Sequence, residues 1–250
     1  MNRQAQAAVL FLLGAALLHA GFTDLYLRYV KAGLQPLLLL SGVVLIAAAL
    51  ATAWYEWRRS RTTKDHADHA DHAEDDGHGH SHREPRISWM MILPLFALIL
   101  VAPPALGSYS AVRTGTALQQ PYGYSALPAS NPLPLSVVDY AGRAVYDHGR
   151  FLGHRQLKVV GFVALDQKGA PYLVRMALNC CAADAQPVKI ALTGKIPPVL
   201  QPDTWLEVTG TYIAKQTKDP VNNRPIPYIQ VARATPVPTP HDPYDESWNQ

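Results

Sequence analysis

The chain reads as an N-terminal α-helical membrane region of three transmembrane helices followed by a C-terminal all-β domain, a small barrel of the OB type. Three observations predict this. Uncharged apolar runs long enough to cross a bilayer lie in the first 112 residues. Short β-branched or alternating runs follow residue 157. A stretch rich in Pro, Gly, Ser and Ala separates the two regions.

A helix needs about 20 mostly apolar residues to cross the hydrocarbon core. Residues 4–23 carry no formal charge, and residues 32–55 carry none either, with an almost pure Leu/Val/Ala/Ile centre. The third run, 87–112, contains Pro94, Pro103 and Pro104, which favour a kink or an early end. A secretory signal is the rival reading of the first run, since Arg3 precedes it and small residues lie near Ala20. Its apolar part is long and lacks a clean A-x-A site, so a retained helix is preferred.

Lys and Arg close to the spans set orientation. Arg58, Arg59, Arg61, Lys64, Arg83 and Arg86 flank the second connection, against Arg28 and Lys31 in the first. The expected protein is therefore a multi-pass cell-membrane protein. Its N-terminus and second loop are cytoplasmic, and its C-terminal domain is extracytoplasmic. The expected organisation is two spans in 1–57, a loop in 58–86, the third span in 87–112, a linker in 113–134, the β domain in 135–234 and a disordered tail in 235–250.

Within the β domain a short helical pattern covers 137–147. Strand patterns cover 157–164, 171–178, 188–192, 205–213 and 226–231. In the fourth, Leu206, Val208 and Tyr212 fall on one face and Glu207, Thr209 and Thr211 on the other, which is period two with one wet face. Five strands, with a short non-strand segment between the third and fourth, suit an OB-type barrel, and a small sandwich is the alternative. Nucleic-acid binding by such barrels needs a basic groove with exposed aromatics. Here Lys158, Arg175, Lys189, Lys195, Lys215 and Lys218 are scattered along the chain, and the net charge of +3 owes much to juxtamembrane arginines. Nucleic acid is not an expected partner.

Two clusters carry chemistry. The loop holds six of the ten histidines: His66, His69 and His72 in Asp-His-Ala units, then His78, His80 and His82 in alternation. Imidazole binds borderline divalent cations such as Zn²⁺, Ni²⁺ and Cu²⁺. A tract of this kind offers interchangeable ligand sets rather than one rigid site, with Asp65, Asp68 and Asp71 lending charge. Neutral imidazole is the ligand, so binding weakens in acid. The bland alternative is a solvated polar linker.

The only two cysteines, Cys180 and Cys181, are adjacent. Neighbouring Cα atoms are about 3.8 Å apart, whereas ordinary disulfides want about 4.4–6.8 Å, so a stable staple is the wrong reading. Adjacent side chains in a strand also point to opposite faces. Both thiolates can face one ion only if the backbone leaves the strand, and a turn at 182–184 would bring the Asp184 carboxylate toward the sulfurs. Two soft ligands and one hard one suit zinc or a site that transfers metal. His148 and His154 are weaker candidates for a further ligand, and His19 with Asp24 forms a fainter constellation at the end of the first span. Two buried small hydrophobes that happen to be neighbours are the alternative.

Arg175, then Cys180-Cys181-Ala182-Ala183-Asp184-Ala185 and Pro187, preceded by Val160-Gly161-Phe162-Val163 and followed by Trp205-Leu206-Glu207-Val208-Thr209-Gly210, resembles the bacterial YcgQ-like family of two-component permease subunits. The resemblance covers most of the chain, and the Cys-Cys-x-x-Asp-Ala run is its most specific part. It implies a partner, a separate polytopic permease, and a link to zinc homeostasis. Members vary in the loop, so the histidine tract is not carried over as a family site.

The expected function is thus a non-enzymatic accessory membrane subunit that helps a permease handle a divalent metal, zinc first. A membrane-tethered thiol redox protein and an extracytoplasmic binding module without metal are the alternatives. The absence of C-x-x-C spacing and of a βαβ pattern weighs against the redox reading.

Overall fold

The computed structural model describes residues 3–64 and 104–246. They form two compact units. One comprises the residues up to Asp24 and those from Gly33 onward. The other comprises Leu25–Ala32 and the residues from Pro104 onward.

The first unit is a helical hairpin of α1 (Arg3–Phe22) and α2 (Gln35–Lys64). Both are long and apolar enough to cross a membrane. Small residues let the two helices approach closely. A Cβ on Gly14 would stand 2.7 Å from Ile46 Cγ1 and 2.9 Å from the Gly42 carbonyl oxygen. The Gln35 amide donates to the Gly21 carbonyl at 2.9 Å, satisfying a helix end at the turn of the hairpin. At its other end α2 continues beyond its apolar run. Arg58 lies over the Trp54 ring and Arg61 over Trp57, at 5.2 and 3.8 Å, the aromatic and basic pairing that suits a membrane–water boundary.

The expected third span is corrected at its end. Pro104–Gly107 is not helical, and Ser108–Arg113 is a separate six-residue helix, α3, with Ser108 and Ala111 buried in the second unit. The Asp203 carboxylate accepts from the Ser108 backbone N–H (2.6 Å) and hydroxyl (2.8 Å), anchoring the start of α3. The part of the expected span before residue 104 lies outside the described residues, as do the six loop histidines.

The second unit is a closed barrel. Its strands are β1 (Leu133–Leu135), β2 (Leu157–Leu165), β3 (Pro171–Leu178), β4 (Gln186–Gly194), β5 (Trp205–Lys218), β6 (Pro225–Pro236) and β7 (Tyr244–Glu246). β2–β3, β3–β4, β6–β5 and β5–β2 are antiparallel and β4–β6 parallel, so β2, β3, β4, β6 and β5 close a five-stranded ring. β1 and β7 add parallel to β2 and β3 at the rims. In strand number and closure this matches the OB-type expectation. The helix α4 (Val137–Val145) lies before the first barrel strand, capped by Ser136, whose side chain accepts from the Asp139 N–H at 2.9 Å.

Period-two burial fills the interior: Leu157, Val159 and Val163 from β2, Leu206 and Val208 from β5, and Ile190, Ile229 and Val231 from β4 and β6 pack with Tyr140 and Ala141 of α4. A second cluster, with Phe162, Val174, Met176 and Ile226, packs with Ala111 of α3. The alternation expected for β5 holds, with Leu206, Val208 and Gly210 buried and Tyr212 packed against the same core, while the register to β6 shifts between Thr209 and Gly210. A Cβ at Gly210 would collide with the Gln230 carbonyl oxygen, so this close approach needs glycine.

Two expected boundaries fail. Residues 113–134 are no free linker: Leu118 and Thr116 are buried, Ala117 N–H donates to the Pro187 carbonyl, and Leu133 already belongs to β1. The tail from Thr235 is ordered through Glu246, because β6 runs to Pro236 and β7 pairs with β3. Low apolar content hid both, since a few buried residues (Leu118, Leu133, Tyr244) and hydrogen bonds to distant residues hold them.

The tie at Lys189 shows the principle. This buried ammonium lies 2.8 Å from Asp219 and donates to the Thr114 carbonyl at 2.9 Å. Asp219 also accepts from the N–H groups of Thr116 and Val221. Burial alone would raise the Asp219 carboxyl, but its bonds from Lys189, Val221 and Thr116 outweigh that and hold it below the ordinary range. Its contribution to stability is therefore present above the unfolded value near 4 and is lost as pH falls through the folded value. Asp219→Ala leaves Lys189 buried and unpaired and is expected to destabilise the β unit by about 3–5 kcal/mol, read as a lower denaturant midpoint at neutral pH. The loss shrinks in acid.

Candidate metal centre

β3 ends at Leu178, and the chain then leaves the sheet. Cys181 is extended (φ −151°, ψ 169°) and leads into a single 3-10 turn, Ala182–Asp184. This turn folds Asp184 back over the strand end. Its two carboxylate oxygens accept from the N–H groups of Asn179 and Cys180, each at 3.0 Å, and the Cys180 thiol donates to Oδ2 at 2.9 Å. Cys180, Cys181 and Asp184 each offer a ligand atom, all within 4.8 Å of one another. Both cysteines are free, Cys180 exposed and Cys181 half-buried.

The loop is also held from a place that sequence reading missed. Leu25–Ala32 packs in the second unit. Val30 forms an antiparallel bridge with Cys181, the Lys31 N–H donates to the Cys180 carbonyl at 3.1 Å, and the Ala182 N–H donates to the Tyr29 carbonyl at 2.7 Å. The Tyr244 hydroxyl donates to the Arg28 carbonyl, and Lys31 pairs with Glu246 at 3.5 Å. The only sequence signal for this strap is the polar gap between two apolar runs, which reads as an ordinary loop.

Behind the site, Arg175 donates through Nε to Asp245 at 2.9 Å and lies 5.0 Å from the Trp205 ring centre. Asp245 in turn accepts from the Val138 N–H at the start of α4. The motif arginine thus seats β7 on β3, the strand that delivers Cys180.

The hydrogen bonds to Asp184 and with Cys181 push the Cys180 thiol up to about 11. Burial opposes ionisation of Asp184, but bonds from Cys180 and the backbone hold its carboxyl below the ordinary range. The pair is a thiol resting on a carboxylate. A cation that replaces the proton keeps the carboxylate's charge and gains a thiolate.

The donor set fits a borderline divalent ion. Zinc–sulfur and zinc–oxygen bonds of about 2.3 and 2.0–2.2 Å put tetrahedral donors roughly 3.3–3.8 Å apart. The three donors, all within 4.8 Å of one another, lie near that spacing. His148 and His154 are exposed and do not join this group, and neither do His19 and Asp24.

The thiol–carboxylate bond makes a kinetic prediction. Asp184→Asn removes the anion that holds the proton, so alkylation of Cys180 by iodoacetamide at pH 8 should accelerate by about tenfold or more in metal-free protein. An unchanged rate, read by mass spectrometry, would mean that the carboxylate does not control the thiol.

The DUF1980 N-terminal domain matches residues 5–116 and the DUF1980 C-terminal domain matches residues 140–245. No curated protein and no solved structure matches the chain.

Proposed function

Since the chain carries both DUF1980 domains and so belongs to the family of YcgQ-like proteins, we propose that it is a non-enzymatic membrane accessory subunit of a two-component permease. Its cargo is a divalent transition metal, zinc first, taken at Cys180, Cys181 and Asp184. The observation that carries this reading is the convergence of those three donors on a loop hydrogen-bonded to the strap between α1 and α2.

Three protein donors leave the fourth tetrahedral position to water or to a donor from another molecule, which suits exchange better than permanent storage. The strap couples the site to the membrane. Tyr29–Lys31 bonds to the cysteine loop in both directions, so a cation that repositions Cys180 and Cys181 shifts the short connection from which both apolar helices start. A partner permease that packs on those helices can read the occupancy.

The strap also supports the expected topology. A loop joining two spans and a β unit bonded to that loop must share one side of the bilayer. Helix α2 carries the chain to the other side, where Arg58, Arg59 and Arg61 favour the cytoplasm. The apolar run from Ile87, expected from the sequence as a third span, is the segment that would return it. The histidine tract lies on the cytoplasmic side in this arrangement and the cysteine site outside. A thiol-exchange role has less support, because the thiolate is the nucleophile and Asp184 keeps Cys180 protonated.

Two measurements test the reading. Purified full-length chain, metal-analysed after zinc loading and dialysis at pH 7.5, should keep a tightly held ion when residues 65–82 are deleted. It should lose that ion when Cys180→Ser and Cys181→Ser are added. Retention by the serine variant, or no binding of Zn²⁺, Ni²⁺ or Cu²⁺ by the intact chain, rejects the site. In intact cells carrying Asp184→Asn, which frees the Cys180 thiol, a membrane-impermeant maleimide should label Cys180 from outside, whereas labelling only after permeabilisation inverts the topology.

A further inference from the structure

We infer that the β unit carries a second site, in the cavity between the β2–β3 and β5–β6 turns, for a small organic dianion with an apolar body. The cavity has a volume of about 600 Å³, within the ~300–1,000 Å³ range of small-molecule sites. It lies within the β unit and uses none of the cysteine-site residues.

Charge sets the ligand class. Arg113, Lys168, Lys189 and Lys218 line the cavity, with Asp166 as the one lining carboxylate. Lys189 is committed to Asp219. Arg113, Lys168 and Lys218 are exposed, and none forms an ion pair among the described residues. Asp166 offsets one of these three charges and leaves the cavity with a positive excess. One of its oxygens accepts from the N–H groups of Lys168 and Ala170, both at 2.8 Å, and it also bonds Tyr172. Its capacity is used in holding its own turn.

Three cations around a concave surface therefore focus positive potential on the space between them. They come from the end of α3, the β2–β3 turn and the end of β5, about fifty residues apart in each step, so only barrel closure assembles them. Arg113 lies over the Tyr109 ring at 4.3 Å, which restrains its guanidinium. Beside the polar Gln167, Tyr172 and Thr217, the lining has an apolar part, Val112, Ala164, Leu165, Pro220 and Val221, which is unsuited to a bare, fully hydrated ion. A phosphate monoester or a dicarboxylate on a ring or short chain satisfies both halves. In barrels of this type the corresponding turns flank the usual ligand face, and here their charge selects an anion.

Calorimetric titration of the full chain in detergent tests this with phenyl phosphate and phthalate, which separate phosphate from carboxylate recognition. Inorganic phosphate and benzyl alcohol are the headgroup and body controls. At least one aromatic dianion should bind saturably, about tenfold or more tighter than either control. The exposed-site reversals Lys168→Glu and Lys218→Glu should each weaken it by about tenfold, while zinc retention stays unchanged. Absence of saturable binding by both dianions overturns the inference. So does affinity that survives both reversals, or a control that binds equally well.

Discussion

The backbone bonds between Tyr29–Lys31 and residues 180–182 are the constraint on which the functional geometry depends. A loop of adjacent cysteines at a strand end has no intrinsic reason to hold one shape, since its peptide groups can bond to water as readily as to protein. Bonding to the strap in both directions removes that freedom. The Asp184 carboxylate completes the task from inside by gathering two N–H groups and a thiol. Together they keep two sulfurs and a carboxylate near one point without a disulfide or a complete sheet.

Around this point the unit is tied by buried polar contacts as much as by apolar burial. Arg175–Asp245 fixes the last strand to β3. Tyr244 accepts from the Leu106 N–H and donates to the Arg28 carbonyl, joining three distant segments. Lys189–Asp219 clamps the stretch after α3 against β4 and the β5–β6 turn. Each such group is costly if its partner is removed, so these ties specify one arrangement of segments that would otherwise be loops. The segments so held are those that border the two candidate sites.

Much of the candidate centre was legible. Adjacency of Cys180 and Cys181 excludes an ordinary staple by bond geometry, and alternation along a strand demands a turn if both sulfurs are to share an ion. The turn is present at Ala182–Asp184, and Asp184 lies where that argument needed it. The strap was not legible, because its contacts are backbone hydrogen bonds that carry no side-chain signature. The grouping of Arg113, Lys168 and Lys218 was hidden for a related reason: the lysines look scattered along the chain, and the turns bring them together. His148 and His154 are exposed and lie outside the group formed by Cys180, Cys181 and Asp184.

Sequence alone determined what depends on local pattern. Uncharged apolar length marks α1 and α2, alternating or β-branched runs mark the five barrel strands, and the cysteine pair marks the candidate chemistry. Tertiary structure decided where the polar segments go. Residues 113–134 and 235–246 became parts of the fold, and Pro104–Arg113 left the expected span to pack on the barrel. Apolar burial acts through short-range periodicity that can be read from neighbours, whereas hydrogen-bond and ion-pair partners are chosen by three-dimensional proximity that only the closed barrel creates.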